Sequence, residues 1–443
     1  MPEFLHLLPP PDALALLLRH LPDSPPAAET IPATQALGRV TADPIRAPHP
    51  LPDFPRSTVD GYAVRAADTF GASDGLPAYL QLVGEVPMGA KPEFTLAAAQ
   101  AALIHTGGML PEGADAVVML ENTQVVNLHA AERQARGGKG KNISADSALS
   151  AMEIEILRAV AVEENSLQVG EDVAEGQVVI PAGTRLRPAE VGGLMALGVA
   201  ELRVARKTKV GIISSGDEVI PPQDEPRAGQ VRDVNSYSLA ALATEAGGEP
   251  VLYGIAPDQL AAMQTTAARA LVECDLVVIT AGSSASARDM TAEVIRSLGA
   301  PGVLVHGVNV RPGKPTVLGV CAGKAVIGLP GNPVSALVIA GLFVVPVIER
   351  LLGLRLVRPR PSVAAKLTVN VPSQAGREDW VAVKLLCPKR SEAQPSADEG
   401  WLAEPIFGKS NFIFTLAAAD GLIRIPPDAT GLSAGEMVEV VLL

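Results

Sequence analysis

The chain has 443 residues and a formal net charge of −12, with hydrophobic residues at 48% and aromatic residues at only 3%. The length predicts several domains, and the scarcity of aromatic residues predicts cores packed from Ala, Val, Leu and Ile. The negative charge repels phosphate backbones, so nucleic acid is not an expected partner, and any anion site must be a local cluster of cations.

The cysteines and the apolar runs indicate a soluble cytoplasmic protein with no membrane partner. Cys274, Cys321 and Cys387 are far apart and form no C-x-x-C pair, which argues against structural zinc or a disulfide framework. Cys274 and Cys321 are expected to be small buried hydrophobic residues. No signal peptide fits the N-terminal residues. The most apolar run, 336–348, is interrupted by Pro346 and is shorter than the roughly 20 residues that cross a bilayer.

The N-terminal part of the chain predicts a short helix followed by extended and β structure. Residues 12–20 begin with an aspartate and end with cations, as helices do. Residues 30–55 are rich in proline and predict an extended segment. Short alternating strands with turns follow from 56 to 126 and predict a small β-barrel or sandwich. Residues 127–150 are polar and predict a mobile surface loop.

The second half of the chain predicts an α/β domain and a final β domain. Residues 151–205 predict a return to the extended segment, with a helix that starts at Pro188. From 207 to 352 strands and helices alternate, which predicts a parallel sheet with helices on both faces. Residues 361–443 predict short strands.

Polar sequences follow the strands of the predicted parallel sheet, where ligands of such sheets bind. They are S-S-G-D-E at 214–218, A-P-D at 256–258, A-G-S-S-A-S-A-R-D at 281–289 and R-P-G-K at 311–314. Since the carboxyl ends of parallel strands meet at one edge, the sequence predicts a binding crevice at that rim.

Two Gly- and Pro-rich turns within 308–337 predict an anion site. The first, R-P-G-K-P at 311–315, carries the cations Arg311 and Lys314. The second, P-G-N-P-V-S at 330–335, opens a helix and ends in Ser335, a neutral donor. A Gly turn at a helix start leaves backbone N–H groups free to face an anion. The alternative is that Pro and Gly only punctuate two loops.

Carboxylates on the same rim predict a magnesium site close to those cations. Asp217, Glu218, Asp258 and Asp289 offer oxygen-only ligation, which suits Mg²⁺ because this ion keeps its waters and bridges to phosphates. The alternative is that Asp217 and Asp289 only cap the turns or helices that follow them.

Other catalytic motifs are incomplete. The sequence F-G-K-S at 407–410 ends like a P-loop but lacks the first glycine of that motif. His105 and His306 fall in predicted strands and are expected to be structural residues.

The two turns, R-P-G-K-P and L-P-G-N-P-V-S-A, resemble those of the molybdopterin molybdenumtransferase family, the molybdenum insertases that include the gephyrin E domain. Further blocks stand in the family's order, and the resemblance covers nearly the entire chain. They are S-T-V-D-G-Y-A-V-R, I-H-T-G-G, V-G-E-D-V, S-S-G-D-E, R-D-V-N-S and G-R-E-D-W.

Pattern and resemblance together predict a multidomain fold of α/β plus β class. The predicted parts are an elongated linker domain at 1–52 and 151–187, an inserted β-barrel-like domain at 53–150, a doubly wound α/β molybdopterin-binding domain at 188–354 and a small C-terminal β domain at 355–443.

The resemblance implies a reaction and roles for particular residues. Molybdate would be inserted into adenylylated molybdopterin, with Mg²⁺-dependent release of AMP, by a homodimer. The implied catalytic residues are Asp60, Thr106, Asp172, Asp258 and Asp289. The implied substrate-binding residues are Gly282, Ser283, Ser284, Ser286, Arg311, Lys314, Asn332, Ser335, Arg377 and Ser410. The implied metal ligands are Asp217, Glu218, Asp258 and Asp289.

The chain departs from the family pattern at several places, most of them near the predicted site, which indicates altered substrate handling. Residues 281–287 replace a G-G-V-S-V-G loop, Gly307 replaces a common lysine, N-S-L at 165–167 replaces N-I-R, and the loop at 127–150 is longer. Two alternatives therefore stay open: a non-catalytic module that binds, carries or senses the pterin, and a paralogue that handles tungstate. An interaction scaffold of the gephyrin sort is a third, for which the sequence shows no receptor-binding feature.

Overall fold

The computed structural model describes residues 7–126, 152–281, 285–356, 358–387 and 400–443, with the backbone alone at residue 281 and at residues 285–289. The predicted loop at 127–150 is not among them. The chain divides into two units. The first comprises residues 7–43, Ala182–Gly192 and Ala200–Leu443, and the second comprises Pro44–Pro181 and Gly193–Val199.

The helices and strands of the described residues are numbered here in chain order. The helices are α1 (Pro10–Arg19), α2 (Pro188–Ala196), α3 (Asn235–Glu245), α4 (Leu260–Glu273), α5 (Ala285–Ser297), α6 (residues 333–351) and α7 (Ile413–Ala417). The strands are β1 (Ala28–Pro32), β2 (Ile45–Arg46), β3 (Arg56–Ser57), β4 (Gly61–Val64), β5 (Ala78–Glu85), β6 (Gln100–Ile104), β7 (Ala116–Met119), β8 (Thr123–Val126), β9 (Glu153–Ile156), β10 (Ser166–Leu167), β11 (Val178–Ile180), β12 (Glu201–Ala205), β13 (Lys209–Ser215), β14 (Val219–Ile220), β15 (Val231–Arg232), β16 (Glu249–Ala256), β17 (Leu276–Ala281), β18 (Pro301–His306), β19 (Val310–Arg311), β20 (Val317–Cys321), β21 (Lys324–Pro330), β22 (Ser362–Leu367), β23 (Val371–Pro372), β24 (Glu378–Leu386), β25 (Trp401–Pro405), β26 (Gly421–Ile425), β27 (Gly431–Leu432) and β28 (Met437–Leu442).

The first unit contains an α/β layer structure built on a six-stranded sheet with the order β16-β13-β17-β21-β20-β18. Successive residues of a strand face opposite sides, so Ile212 packs with α1, α3 and α6 while Ile213 packs with α4 and α5. Helices therefore cover both faces of the sheet, as predicted. Cys274 and Cys321 are buried in this part, which confirms their predicted burial.

The sheet is mixed, so the prediction of an all-parallel sheet was wrong. Strands β16, β13, β17 and β21 are parallel neighbours, whereas β20 runs antiparallel to both β21 and β18. The reason is the two-residue turn Ala322-Gly323, whose φ angles of 50° and 76° suit a tight hairpin between β20 and β21.

Helix α6 runs unbroken through Pro346, which interrupts the apolar run of the sequence but not the helix. Residues Ala340–Val344 form a π-helical stretch, and Pro346 lies in the first turn of the α-helical stretch that follows. By length and composition the 19-residue helix could cross a membrane, but 56% of its apolar window is buried within the protein. Phe343, Val347 and Ile348 are fully buried, as in the core helix of a globular domain.

A second six-stranded sheet of the first unit holds most of the C-terminal residues, in the order β19-β24-β25-β22-β28-β26. Its core includes Val383, Ile423 and Val440. Strand β19 belongs to the R-P-G-K-P turn and pairs with Glu378 and Asp379 of β24. This pairing joins the turn after β18 to the C-terminal sheet.

The second unit is built on a sheet with the order β7-β4-β6-β5-β9-β8. Neighbouring residues of β4 belong to two separate buried clusters, Tyr62 and Val64 in one and Ala63 in the other. Both faces of the strand are therefore packed. With this β unit, the α/β layers and the C-terminal sheet, the predicted fold class is confirmed.

Candidate functional site

A cleft of about 1150 Å³ in the first unit brings together six of the side chains predicted from sequence. They are Arg311, Lys314, Asn332, Ser335, Arg377 and Ser410. They come from the loop between β18 and β20, the start of α6, the approach to β24 and the loop after β25, which are far apart in sequence.

The R-P-G-K-P turn is held in place from several sides. The Thr316 hydroxyl donates to the carbonyl of Gly313 over 2.7 Å, and the Val308 amide donates to the carbonyl of Lys314 over 2.9 Å. Gly313 has a φ of +112°, and a Cβ there would lie 2.2 Å from Cγ1 of Ile339 in α6. Only glycine fits this position without strain, so the turn presents Arg311 and Lys314 from a fixed backbone.

The loop before α6 is tied to the loop after β25. The amide group of Asn332 donates to Oγ of Ser410 over 2.8 Å, and the Val334 amide donates to the Ser410 carbonyl over 3.0 Å. Ser335 is only 4% exposed in the first turn of α6. These bonds place neutral hydroxyl and amide groups opposite the cationic turn.

Asp379 is a residue of this cleft that the sequence prediction missed. Its side chain is 3% exposed and accepts from Nε of Arg377 and from the Ser373 hydroxyl, both over 2.9 Å. Nη1 of Arg311 lies 3.7 Å from Oδ2 of Asp379. One buried carboxylate therefore hydrogen-bonds Arg377 and lies within ion-pair distance of Arg311. Alternation along β24 could have revealed it, because Arg377 and Asp379 are two residues apart and share a face.

Lys409 is a second missed residue, although it stands in the F-G-K-S sequence. It lines the cleft and is exposed, as is Lys314. Neither ammonium group has an ion-pair partner within the described part of the chain, so both are available to an anion. Four cationic side chains thus line a cleft that contains one buried carboxylate, in a chain whose net charge is −12. The cleft is a local excess of positive charge.

Three of the predicted carboxylates meet at the ends of β13 and β16. The backbone amide of Asp258, in the loop after β16, donates to Oδ1 of Asp217 over 3.2 Å. Asp217 therefore ties two loops of the rim together, and this bond is not the cap of the following turn that the alternative interpretation proposed. Burial raises the pKa of Asp258, and the negative charges of Asp217 and Glu218 raise it further. This crowding of negative charge would be relieved by a bound cation.

The carboxylates share the rim with the cations but do not line the cleft. Strand β17 separates β13 from β21, and two strand spacings amount to roughly 10 Å. The rim is therefore acidic at one end and cationic at the other. No three His, Cys, Asp or Glu side chains are grouped as metal ligands in the described ranges, so the magnesium site stays a prediction.

Parts of the predicted site cannot be placed in the structure. Gly282, Ser283 and Ser284 fall outside the described residues, and the side chains of Ser286 and Asp289 are not described.

Gly307 has a φ of +100°, a conformation that would strain the lysine common at this position in the family.

Asp60, Thr106 and Asp172 belong to the second unit. Oδ1 of Asp60 accepts from the amide of Thr106 over 2.7 Å and from its hydroxyl over 3.0 Å. The hydrogen bond from the Thr106 amide lowers the pKa of Asp60 most, and the hydrogen bond from the Thr106 hydroxyl comes next. The charge of His105 lowers this pKa by a smaller amount. Asp172 is exposed, and its own backbone amide donates to the Leu51 carbonyl.

His105 differs from its expected place inside a strand. It follows the last residue of β6, and its side chain is 42% exposed. Nε2 lies 3.1 Å from Oε1 of Glu85 and Nδ1 lies 3.8 Å from Oδ1 of Asp60. The imidazole is therefore paired at the surface, beside the Asp60–Thr106 contact.

Fold and cleft together define a multidomain α/β protein with a cationic cleft, and comparisons with known proteins specify the family. Residues 8–198 match the MoeA N-terminal region (domain I and II), 211–350 match the probable molybdopterin binding domain, and 364–443 match the MoeA C-terminal region (domain IV).

Relatives with assigned names match over most of the chain. Molybdopterin molybdenumtransferase 2 of Mycobacterium tuberculosis is 34% identical over 417 residues, covering 93% of this chain and 94% of the relative. Molybdopterin molybdenumtransferase of Bacillus subtilis is 32% identical over 419 residues, covering 94% and 90%. The crystal structure of the molybdopterin biosynthesis MoeA protein of Pyrococcus horikoshii superposes with a TM-score of 0.79 at 32% identity, covering 99% and 100%. The chain belongs to the molybdopterin molybdenumtransferase family, a family of transferases.

Proposed function

We propose that this protein inserts molybdate into adenylylated molybdopterin and releases AMP. The observation that carries the proposal is the cleft in which Arg311, Lys314 and Arg377 face the hydroxyl-bearing residues Ser335 and Ser410. Membership of the family supplies the reaction, and the cleft supplies groups that suit a small dianion. No observation favours a non-catalytic pterin carrier or a scaffold.

The cleft would hold molybdate through charge and through directed donors. Arginine and lysine side chains form charge-assisted hydrogen bonds to an oxyanion, which are about twice as strong as neutral ones. Asp379 holds Arg377 by a hydrogen bond and attracts Arg311 at ion-pair distance before the anion arrives. Little rearrangement is then needed on binding, which favours both affinity and positioning of the oxyanion beside the pterin.

The acidic end of the rim suits Mg²⁺, which we propose as the cofactor. Asp217, Glu218 and Asp258 would hold it, together with Asp289 as predicted from sequence. Burial first, and then the negative charges of Asp217 and Glu218, raise the pKa of Asp258, and a divalent cation would relieve the repulsion between these carboxylates. A few carboxylates that leave room for water match the preference of this ion. When bound, Mg²⁺ would neutralise charge on the adenylyl phosphate as AMP departs.

We also propose that the protein is a cytoplasmic homodimer and that Asp60, Thr106 and Asp172 serve the reaction. Light scattering after gel filtration would test the assembly, with an expected mass about twice the 45.8 kDa of one chain. A mass equal to one chain at micromolar concentration would contradict the dimer.

The proposed reaction is tested by AMP release. The protein is incubated with adenylylated molybdopterin, molybdate and Mg²⁺, and AMP is measured by chromatography. Lys314→Ala should raise the KM for molybdate at least about tenfold, because it removes a charged hydrogen bond. The control is Lys366→Ala, an exposed lysine of β22 that does not line the cleft.

Each outcome of this assay has a clear meaning. No AMP release together with no binding of the pterin would reject the proposed function. Tight pterin binding without AMP release would favour the non-catalytic alternative. Tungstate, added in place of molybdate, would show whether the cleft distinguishes two tetrahedral dianions.

A further inference from the structure

The cationic cleft offers an anion many hydrogen-bond donors and few acceptors. Arg311, Lys314, Arg377 and Lys409 line it, and guanidinium and ammonium groups are donors that have no acceptor atom. Asp379 is the one carboxylate among the described residues that line the cleft. The kind of tetrahedral anion that fits therefore depends on whether Asp379 can still accept a hydrogen bond from a ligand.

Both carboxylate oxygens of Asp379 are already used within the protein. Oδ1 accepts from Nε of Arg377 over 2.9 Å, and Oδ2 accepts from the hydroxyl of Ser373 over 2.9 Å. The side chain is only 3% exposed, and Nη1 of Arg311 lies 3.7 Å from Oδ2. Little of either oxygen is therefore left for a ligand, although the residue lines the cleft.

Backbone carbonyls around the cleft also accept hydrogen bonds from the protein itself. The carbonyls that each accept at least one such bond are those of Gly313, Lys314, Gly376, Lys409 and Ser410. Side-chain amides such as those of Gln374 and Asn411 remain as acceptors, but these residues are exposed, so water can pair with them. Inside the cleft, the groups left for a ligand are mainly donors.

Such a site distinguishes tetrahedral anions by their protons. At pH 8 molybdate carries no proton, whereas phosphate is mostly HPO4²⁻, which keeps one O–H group. Enclosed among donors, that O–H group would lack an acceptor, and leaving a buried donor unpaired is costly. A site that leaves a polar group of one ligand unpaired discriminates against this ligand even when its size and charge fit.

We propose that the cleft selects tetrahedral dianions that carry no proton and rejects hydrogen phosphate. Ser373 is a positioning residue in this selection, because its hydroxyl occupies Oδ2 of Asp379 from outside the described wall of the cleft. This selectivity rests on the proposed function, since it defines which oxyanions can enter the proposed molybdate site. Phosphate, which is also a small tetrahedral anion, would otherwise compete with molybdate there.

The test compares the binding of two phosphorus anions to the full-length protein, by calorimetry at pH 8 and without pterin. Fluorophosphate is similar to hydrogen phosphate in size and charge but carries fluorine in place of the O–H group. Fluorophosphate should bind, and phosphate should bind at least about tenfold more weakly, because its O–H group is left unpaired. Equal affinities would overturn the proposal, as would the absence of fluorophosphate binding at millimolar concentration.

Ser373→Ala tests how the selection arises. Loss of the hydroxyl leaves Oδ2 of Asp379 able to accept from hydrogen phosphate, so the ratio of fluorophosphate affinity to phosphate affinity should fall at least about threefold. A purely structural defect would weaken both anions alike and leave this ratio unchanged, and that result would overturn the role given to Ser373. The control is Ser433→Ala, an exposed serine of the same C-terminal region outside the described wall of the cleft, which should not alter the ratio.

The anion measurement is independent of the proposed reaction, because it needs neither the pterin nor turnover. Absence of AMP release together with selective binding of fluorophosphate would reject the proposed function and leave the selectivity of the cleft standing. AMP release together with equal binding of the two phosphorus anions would do the reverse.

Discussion

At the scale of single residues, the feature that organises the cleft is the buried carboxylate of Asp379. It holds Arg377 and Ser373 by hydrogen bonds and lies within ion-pair distance of Arg311. A buried charge is stable only when it is paired, and here the two charged partners, Arg311 and Arg377, both line the cleft. Folding of the C-terminal sheet and preparation of the anion site therefore depend on the same side chain.

Asp379→Asn should weaken both the fold and the site. The change keeps the shape but removes the charge that pairs with two arginines, so we expect unfolding to become easier by about 1–3 kcal/mol. The KM for molybdate should rise while the KM for the pterin changes less. Chemical denaturation and steady-state kinetics measure these effects. Asp428→Asn, at an exposed position of the same C-terminal region, should change neither; equal effects of both variants would contradict the role given to Asp379.

Asp258→Asn should stabilise the protein at neutral pH. The folded protein raises the pKa of Asp258 through burial and through Asp217 and Glu218, so its charged form opposes folding. We expect the melting temperature to rise by roughly 1–2 °C at pH 7. The gain should shrink as pH falls through the pKa of Asp258 toward the ordinary value of 3.8. Scanning calorimetry over pH 3.5–8 measures this difference in melting temperature between the variant and the unmodified protein.

The same variant tests the magnesium proposal. Mg²⁺ should raise the melting temperature of the unmodified protein, since a ligand that binds only the folded state stabilises it. Asp258→Asn should respond much less. An equal response of both proteins would place the ion elsewhere.

At the scale of elements, the cationic turn depends on its packing against α6. Gly313 has no room for a Cβ beside Ile339, and its φ of +112° is one that other residues rarely adopt. The turn and the helix therefore constrain each other. The π-helical stretch Ala340–Val344 follows directly after Ile339 in the same helix.

Gly313→Ala should cost at least about 2 kcal/mol of unfolding free energy, through both steric overlap and backbone strain. Molybdate affinity should fall as well, because the turn carries Arg311 and Lys314. The matched control is Gly229→Ala, where φ is +90° but no atom lies within 4 Å of the added Cβ. That variant should cost only about 1 kcal/mol and leave affinity unchanged. Thermal unfolding and molybdate titration compare the two.

The sequence predicted those parts of the fold and site that depend on local signals. Pro188 and Pro333 begin helices, apolar runs became β20 and β21, and Gly–Pro turns carry the side chains that meet in the cleft. The direction of β20 was missed because the Ala322-Gly323 turn was not recognised as a hairpin signal. The π-helical stretch within α6 was not predicted, because such a stretch is not encoded by periodicity.

Features that depend on distant parts of the chain were harder to predict. The role of Asp379 requires Arg311, which is brought to it only by the pairing of β19 with β24. The separation of carboxylates and cations along the rim follows from the strand order, which places β17 between β13 and β21. Neither arrangement can be obtained from residue spacing alone.

At the scale of the whole molecule, the described chain consists of two units with separate cores. All described residues that line the cleft belong to the first unit, whereas Asp60, Thr106 and Asp172 belong to the second. Binding of molybdate is therefore expected to be a property of the first unit.

Ile104→Ala tests this division. Ile104 is fully buried in the second unit, and its truncation should cost about 2–5 kcal/mol. Calorimetry should show one part of the unfolding transition shifted to lower temperature, because large multidomain proteins do not unfold in one step. Molybdate affinity should be unchanged below that transition. Val125→Ala, at a 48% exposed position of β8, serves as control; loss of molybdate binding in Ile104→Ala at low temperature would show that the units are energetically coupled.

Because of the strand order of the central sheet, the two ends of its rim differ in charge. Carboxylates follow β16 and β13, and cations lie beyond β21. A long ligand whose two ends differ in charge can lie along such an edge in one direction only. On the proposed function, the oxyanion and the nucleotide would occupy opposite ends of this edge. The orientation of the substrate would then be set by the topology of the sheet.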